Sequence, residues 1–378
     1  MTRAVLVTGG AGYIGSHSCK ALADAGFLPI TYDNLSTGHA SFVKWGPLIV
    51  GDIRDKSKVI QTLKSHQVAA VMHFAAASLV GESITDPQKY YHNNVVGSVA
   101  VLDAMQEAGC ERIVFSSTGA VYGDQGSGVL SEQRGCQPVN PYGRSKFTVE
   151  QILSDYRSAY GMTSFSLRYF NASGAHATAG IGEWRATETH LIPRAMMALS
   201  GNLNEFSIYG DDYDTPDGTA IRDYVHVVDL AGAHLGALRL LLQGHEGGSY
   251  NLGTGNGFSV KEVLSAIAKA AGRQVPYTIR DRRPGDPAVL VADSSAARSV
   301  LNFEPEFSDL HTIISSAWAW HLAANVRGEV GELMAGTTPG ITDLGLAADP
   351  GNDQAASLVP RSTQEQGNPS RPRTADPV

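Results

Sequence analysis

Val5-Leu6-Val7-Thr8-Gly9-Gly10-Ala11-Gly12-Tyr13-Ile14-Gly15 stands at the head of the chain, and Asp33 follows eighteen positions after Gly15. A short apolar run (4–7) that breaks into glycines and resumes as a helix (14–25, stopped by Gly26) is a strand–turn–helix unit. Gly9 allows the tight turn, and Gly12 lets the backbone approach a pyrophosphate. Gly15 lets the helix pack closely on the strand, and the helix N-terminus faces the phosphates. A second strand over 29–32 runs into Asp33. A carboxylate there accepts hydrogen bonds from a ribose 2′-OH and repels a 2′-phosphate, so the pattern predicts a site for NAD(H) rather than NADP(H).

Strands and helices go on alternating. Leu48-Ile49-Val50 ends at Gly51-Asp52, a helix covers about 56–65, and 69–74 reads as a strand. A long helix over 87–108, a strand over 112–116, a helix over 142–160 and a strand over 163–167 follow. Continuous apolar strands between helices predict an α/β fold built on a Rossmann-type doubly wound parallel sheet. From Asn171 the pattern is less regular and richer in Gly and Asp, with helices over 191–200, 228–242 and 260–271. This divides the chain into a nucleotide-binding domain over 1–170 and a smaller α/β substrate-binding lobe over 171–328. Residues 329–378 accumulate Gly, Pro, Ser, Asp and Gln without apolar periodicity, the composition of a disordered tail.

With 43% hydrophobic and 17% charged residues over 378 positions, the chain has the make-up of a globular protein large enough for two lobes. A net charge of -8 without any basic run argues against a nucleic-acid partner, so an anionic ligand has to be held by a few placed groups. Cys19, Cys110 and Cys136 are odd in number and form no CxxC pair, which points to a reduced, cytoplasmic protein. No charged-then-apolar leader precedes the first strand. The longest apolar stretch, 68–80, carries His73 and is too short to span a bilayer, so no membrane partner is expected.

Pro141-Tyr142-Gly143-Arg144-Ser145-Lys146 puts a Tyr and a Lys four apart at the start of a helix, on one face. It follows the fifth strand, whose end, Phe115-Ser116-Ser117-Thr118, places hydroxyls at the carboxyl edge where ligands of such sheets sit. A free phenol has a pKa of about 10 and is a poor base at neutral pH. The Lys146 ammonium and a positive nicotinamide ring both favour phenolate, which predicts a lowered value for Tyr142. Such a phenolate can take the proton of a sugar hydroxyl while hydride leaves the same carbon for the cofactor, with Thr118 steadying the proton. The histidines lie apart, without carboxylate or cysteine at ligand spacing, so no metal site is expected. Asp211, Asp212, Asp214 and Asp217 read as a solvated acidic turn.

Taken together, these segments resemble the extended short-chain dehydrogenase/reductase family. The resemblance is carried by Thr8-Gly-Gly-Ala-Gly-Tyr-Ile-Gly, Gly51-Asp52-Ile53-Arg54, His73-Phe74-Ala75-Ala76, Tyr142-x-x-x-Lys146 and Arg168-Tyr169-Phe170-Asn171. Val80-Gly81-Glu82-Ser83, Val121-Tyr122-Gly123-Asp124, 217–226 and Arg282-Arg283-Pro284-Gly285-Asp286 narrow it to the nucleotide-sugar 4-epimerases of that family, over about residues 3–325. The resemblance implies that Gly9, Gly12, Tyr13, Ile14, Gly15, Asp33, Asn34, Asp52, Ile53, Phe74, Ala75, Ala76, Asn94, Lys146 and Phe170 hold NAD. It implies that Thr118, Tyr142, Phe170, Asn171, Leu191, Arg222, Tyr224, Arg283 and Asp286 meet a UDP-sugar. It further implies that Tyr142, Lys146 and Thr118 are catalytic, that part of 222–238 threads back into the first domain, and that a homodimer forms on the helices 87–108 and 142–160. Ser78, Thr118 and His190 depart from the family pattern, standing where a Lys, a Ser and an Asn are usual.

The activity so implied interconverts UDP-glucose and UDP-galactose: transient oxidation at C4, rotation of the ketone and return of hydride to its other face. Arg222 and Arg283 suit the anchoring of a diphosphate while the sugar turns. The N-acetylated and xylose analogues share the same leaving and anchoring groups, and Leu290, beside the C2 substituent in this family, is of intermediate size. A nucleotide-sugar dehydratase needs an acidic pair after the hydroxyl position, where this chain has Gly119-Ala120. A non-catalytic NAD-binding protein has no need of both Tyr142 and Lys146.

Overall fold

In the strand Ala4–Thr8 all five residues are buried, and their side chains alternate. Val5 and Val7 enter one core, Ala4 and Leu6 the other. A strand buried on both faces belongs inside a parallel sheet covered by helices. The computed structural model describes residues 2–126, 128–283 and 286–326, so the expected tail over 329–378 lies outside the described residues.

Seven parallel strands run in the order Leu48–Val50, Leu28–Asp33, Ala4–Thr8, Ala70–His73, Arg112–Ser116, Thr163–Tyr169 and Gly247–Leu252. On one face, Cys19 and Leu22 of the helix Tyr13–Asp24 meet Leu230 and Leu238 of the helix Val227–Leu242. On the other, Val59 and Leu63, Leu102 and Met105, and Val149 and Leu153 come from three further helices, Lys56–Ser65, Gly97–Ala108 and Pro141–Tyr160. Each fully buried side chain of this size contributes about 1.5–3 kcal/mol relative to exposure. Strand order reverses between Ala4–Thr8 and Ala70–His73, which opens a crevice at their carboxyl ends.

A smaller sheet orders Phe258–Ser259, Ile221–Arg222, Val289–Ala292 and Gly128–Leu130. The strand Asn171–Ser173 pairs in parallel with Tyr224–His226. The helices Leu191–Leu199, Val260–Ala271 and Leu310–Val326 share a core around Ile192, Met196, Ile267 and Ile313. The chain thus crosses between the two sheets in both directions. Gly128–Leu130 joins the smaller sheet, while Gly247–Leu252 completes the larger one.

The stretch over 87–108, read from sequence as one helix, is a short helix Pro87–Tyr90, a wider π turn Tyr91–Val96 and the helix Gly97–Ala108. Asn94 explains the widening. Its amide accepts from Ala77 N–H (2.8 Å) and donates to Ala77 C=O (3.0 Å) and Ser145 Oγ (3.0 Å). Turning a side chain inward to clamp a neighbouring loop is a common reason for a π turn near a site. Among the described residues no helix is long and apolar enough to cross a membrane.

Candidate active site

The glycine loop lies at the switch point. Gly9 takes φ +73°, and a Cβ there would sit 2.6 Å from the Ala75 nitrogen. A Cβ on Gly15 would sit 2.2 Å from the Gly9 carbonyl oxygen. The loop, the helix and residues 74–76 therefore meet with no room for side chains. Gly12 caps the helix Tyr13–Asp24 without any side-chain hydrogen bond, and its first turn holds no acid. The first N–H groups, with the positive end of the helix, are left for an anion. Beside them, Asp33 Oδ2 accepts from Ala11 N–H (3.0 Å) and Oδ1 from Leu35 N–H (2.8 Å). Burial raises the Asp33 pKa while these two amides and His39 pull it down. Each oxygen keeps acceptor capacity for a ribose hydroxyl. These features fit a dinucleotide with a free 2′-OH.

The other residues expected at the cofactor are placed as follows. Asn34 donates to Asp52 Oδ2 (3.5 Å), and Arg54 grips the same carboxylate (2.6 and 2.8 Å), holding its pKa down at about 2. Ile53 packs against Gly97, and Phe74 leans on the His234 ring, centroids 4.7 Å apart. Tyr13 donates to Gly174 C=O (2.6 Å), and Ile14 packs against the core on its own face of the sheet. Phe170 lies against Gly119.

Asn140 starts the helix Pro141–Tyr160, accepting from Gly143 N–H (2.8 Å) with Pro141 in the first turn. That fixes Tyr142 and Lys146 one turn apart, facing the end of Arg112–Ser116. Thr118 Oγ1 accepts from Ala120 N–H (3.1 Å), which leaves its own hydrogen for the Tyr142 phenol it bonds. Lys146 Nζ donates to Ser116 C=O (2.9 Å) and lies 4.8 Å from the centre of the Phe115 ring. Burial pulls the Lys146 pKa down to about 7, against the Glu150 carboxylate, which favours the ammonium. The Tyr142 phenol is pushed up, where Lys146 together with a nicotinamide ring was expected to lower it. Desolvation is the largest cause, opposed by the Thr118 hydrogen bond and the Arg185 charge.

On the opposite side, Asn171 donates to Asp223 C=O (2.8 Å), and Tyr224, its partner across the strand pair, is buried. Arg222 forms an ion pair with Asp286 (2.5 Å), and the Arg283 guanidinium lies 4.1 Å from the centre of the Tyr209 ring. Leu191 opens the helix Leu191–Leu199. The fold also gathers Glu183, Glu188 and His190, whose ligand-type atoms lie within 4.8 Å of one another, a cluster that spacing along the chain did not reveal. Arg185 pairs with Glu183 (3.1 Å), and His190 pairs with it as well. Glu188 is driven up to about 7 by burial first and then by Glu183.

The model of the family described as NAD dependent epimerase/dehydratase matches residues 5–253. The chain belongs to that family. Among epimerase/dehydratase relatives, the UDP-glucose 4-epimerase of Rhizobium leguminosarum bv. trifolii is 50% identical over 321 residues, covering 85% of this chain and 98% of its own. The crystal structure of the Brucella ovis UDP-glucose 4-epimerase in complex with NAD superposes with a TM-score of 0.82 at 49% identity, covering 84% of this chain and 98% of that one. The Bifidobacterium longum UDP-glucose 4-epimerase with NAD+ and UDP gives 0.79 at 38% identity, covering 85% and 99%. The Rossmann-like parallel sheet is thus that of the epimerase/dehydratase fold.

Three residues of this family site had no role in the sequence reading. Glu150 and Arg168 form a buried ion pair behind Lys146. Breaking such a pair by removing one partner costs about 3–5 kcal/mol. Glu150 was legible as the next residue, four on, along the Tyr142–Lys146 face. Arg168 was visible only as part of a motif. Arg185 Nη1 reaches Ser78 Oγ (3.4 Å) and brings a cation to the position where Ser78 departs from the family pattern. No local signal marked it.

Proposed function

We propose that this chain interconverts UDP-glucose and UDP-galactose, inverting C4 with NAD held throughout, as a cytoplasmic enzyme of galactose metabolism. The observation that carries the reading is Tyr142, bonded to Thr118 and one turn from Lys146, at the switch-point edge beside a glycine loop with Asp33. Residues 1–170 serve as the nucleotide domain and 171–328 as the sugar lobe. NAD, when bound, supplies the acceptor and later the donor of the C4 hydride. Tyr142 takes the C4 hydroxyl proton as phenolate and gives it back to the same oxygen after the sugar has turned. Thr118 orients that proton, and the Lys146 ammonium stabilises the phenolate. Arg222, steadied by Asp286, and Arg283 anchor the diphosphate by charge-assisted hydrogen bonds while the sugar ring turns.

The test is to incubate the purified chain with UDP-galactose and no added cofactor, resolve the products, and assay the denatured supernatant. UDP-glucose and NAD(H) are the expected result. No conversion, or NADP(H) in the supernatant, overturns the reading. Parallel runs with UDP-N-acetylglucosamine and UDP-xylose rank the sugars.

The homodimer belongs to the same proposal. Val80, Ile84, Tyr91 and Val96 are exposed apolar residues on the helical stretch over 80–96, and Tyr160 is exposed at the end of the helix Pro141–Tyr160. Their exposure supports a self-association face on these helices. Light scattering at micromolar concentration is expected to give twice the 40.0 kDa chain mass. A monomer mass would remove the dimer from the proposal.

A further inference from the structure

Lys146 is buried and among the described residues forms no ion pair at contact distance, yet its role requires a positive charge. The helix Pro141–Tyr160 carries the answer one turn further on. Glu150 is 8% exposed and lies on the same face as Lys146 and Tyr142. Its carboxylate is fixed from three elements. Arg168 of the strand Thr163–Tyr169 donates from Nε (3.0 and 3.2 Å) and from Nη2. Ser117, beyond the strand Arg112–Ser116, donates from Oγ, and Ser249 of Gly247–Leu252 stands at 3.5 Å.

Arg168 is held in turn. Its Nη1 donates to Tyr122 Oη (3.0 Å), which donates to Asn251 Oδ1 (2.7 Å). The Asn251 amide donates to Leu130 C=O (2.9 Å). Phe170 and Leu290 pack against Tyr122 and Leu130, but among the described residues none of these hydrogen bonds runs to the glycine loop, Arg222 or Asp286, so direct binding does not account for the network.

We infer that Glu150 is a positioning residue for the reaction: a buried counter-charge for Lys146 that acts on Tyr142 only through that ammonium. The inference rests on Tyr142 being the base. The Glu150 carboxylate favours the Lys146 ammonium, and Arg168 holds that carboxylate in place. The other titratable groups facing this pair are His73, which burial and the Lys146 charge keep neutral, and Tyr122 and Cys136, with Glu132 beyond Tyr122. Burial raises both Tyr122 and Cys136, so they stay neutral and supply no competing charge. Without the Glu150 charge, Lys146 gives up its proton more readily, and the Tyr142 phenolate loses its support.

The experiment is Glu150→Gln in the full-length holoenzyme, with kcat and KM followed from pH 5 to 10. The acid limb of kcat is expected to move upward by about one pH unit, about tenfold in rate at pH values below it, with recovery at high pH. KM and NAD content are expected to stay within about twofold of the unmodified chain. Glu150→Asp keeps the charge and is expected to restore the limb.

A uniform loss of rate at every pH, or an unmoved profile, overturns the inference and leaves Glu150 a structural partner of Arg168. Should the unpaired guanidinium prevent Glu150→Gln from folding, the double variant Glu150→Gln, Arg168→Gln removes both charges. It is expected to show a smaller upward shift, and no shift overturns the inference. Tyr142→Phe separates the two failures. If that variant is fully active, the base assignment falls. If it is inactive while Glu150→Gln keeps the wild-type profile, only the role of Glu150 falls.

Discussion

Tyr142→Phe is expected to lower turnover by about two to four orders of magnitude while the chain keeps its fold and its NAD. The substitution removes one oxygen and leaves the ring packed, so its contact with Tyr90, 6.3 Å between centroids, survives. Only the Thr118 hydrogen bond is lost. The sign of the pH effect follows from the environment of the phenol. Burial raises its pKa, so the base form is populated as pH rises, and the unmodified enzyme gains rate along an acid limb. In the Phe variant that limb disappears and the residual rate is flat. Steady-state kinetics across pH, with circular dichroism to confirm folding, decide the matter. Near-normal turnover with the original profile means that another group is the base.

Gly15→Val is expected to yield a folded chain that purifies with little or no NAD. A Cβ at this position meets the Gly9 carbonyl oxygen at 2.2 Å and the Gly10 Cα at 2.9 Å. Neither can retreat, because Gly9 N–H is bonded to Tyr32 C=O (2.9 Å) and Gly9 abuts Ala75. Overpacking of this kind costs about 1–3 kcal/mol. Spent on opening the turn that receives the pyrophosphate, it weakens binding by about tenfold to a hundredfold. The two core faces on either side of the sheet are untouched, so thermal unfolding stays cooperative. Chromatography of the nucleotide released on denaturation measures the effect. Retention of one NAD per chain refutes the close approach assigned to Gly15. A Cβ on Gly12 meets nothing nearer than 3.3 Å, so Gly12→Ala is the milder comparison.

What the sequence made legible is what depends on neighbours along the chain. Val5 and Leu6 announce a strand buried on both faces, Gly9 to Gly15 a phosphate turn, and Tyr142 with Lys146 a shared helical face. What it hid depends on distant partners. Gly247-Gly248-Ser249-Tyr250-Asn251-Leu252, for which the sequence reading named no element, forms the edge of the main sheet by pairing with Thr163–Tyr169. Val129 pairs across 162 positions with Val291. The direction of the Tyr142 shift was hidden for the same reason, since desolvation comes from residues that only folding brings around the phenol. The cluster of Glu183, Glu188, Arg185 and His190 lies within eight residues but takes its meaning from Ser78, over a hundred positions away.

The late arrival of Gly247–Leu252 also sets a timetable for synthesis. When Tyr169 leaves the ribosome, six of the seven strands exist, but Thr163–Tyr169 presents a bare backbone edge. The sheet face that Leu230 and Leu238 will cover is also open. Another 83 residues must be translated before Leu252 closes that edge. At about 5–20 residues per second, the delay is roughly 4–17 s. Collapse of a chain of about 100 residues takes no more than about 100 μs, so the nascent nucleotide half waits, compact and sticky, for its last strand. An open strand edge of this kind recruits other strands. The same crossover that ties the two sheets together in the finished enzyme leaves a strand edge open for seconds of its synthesis.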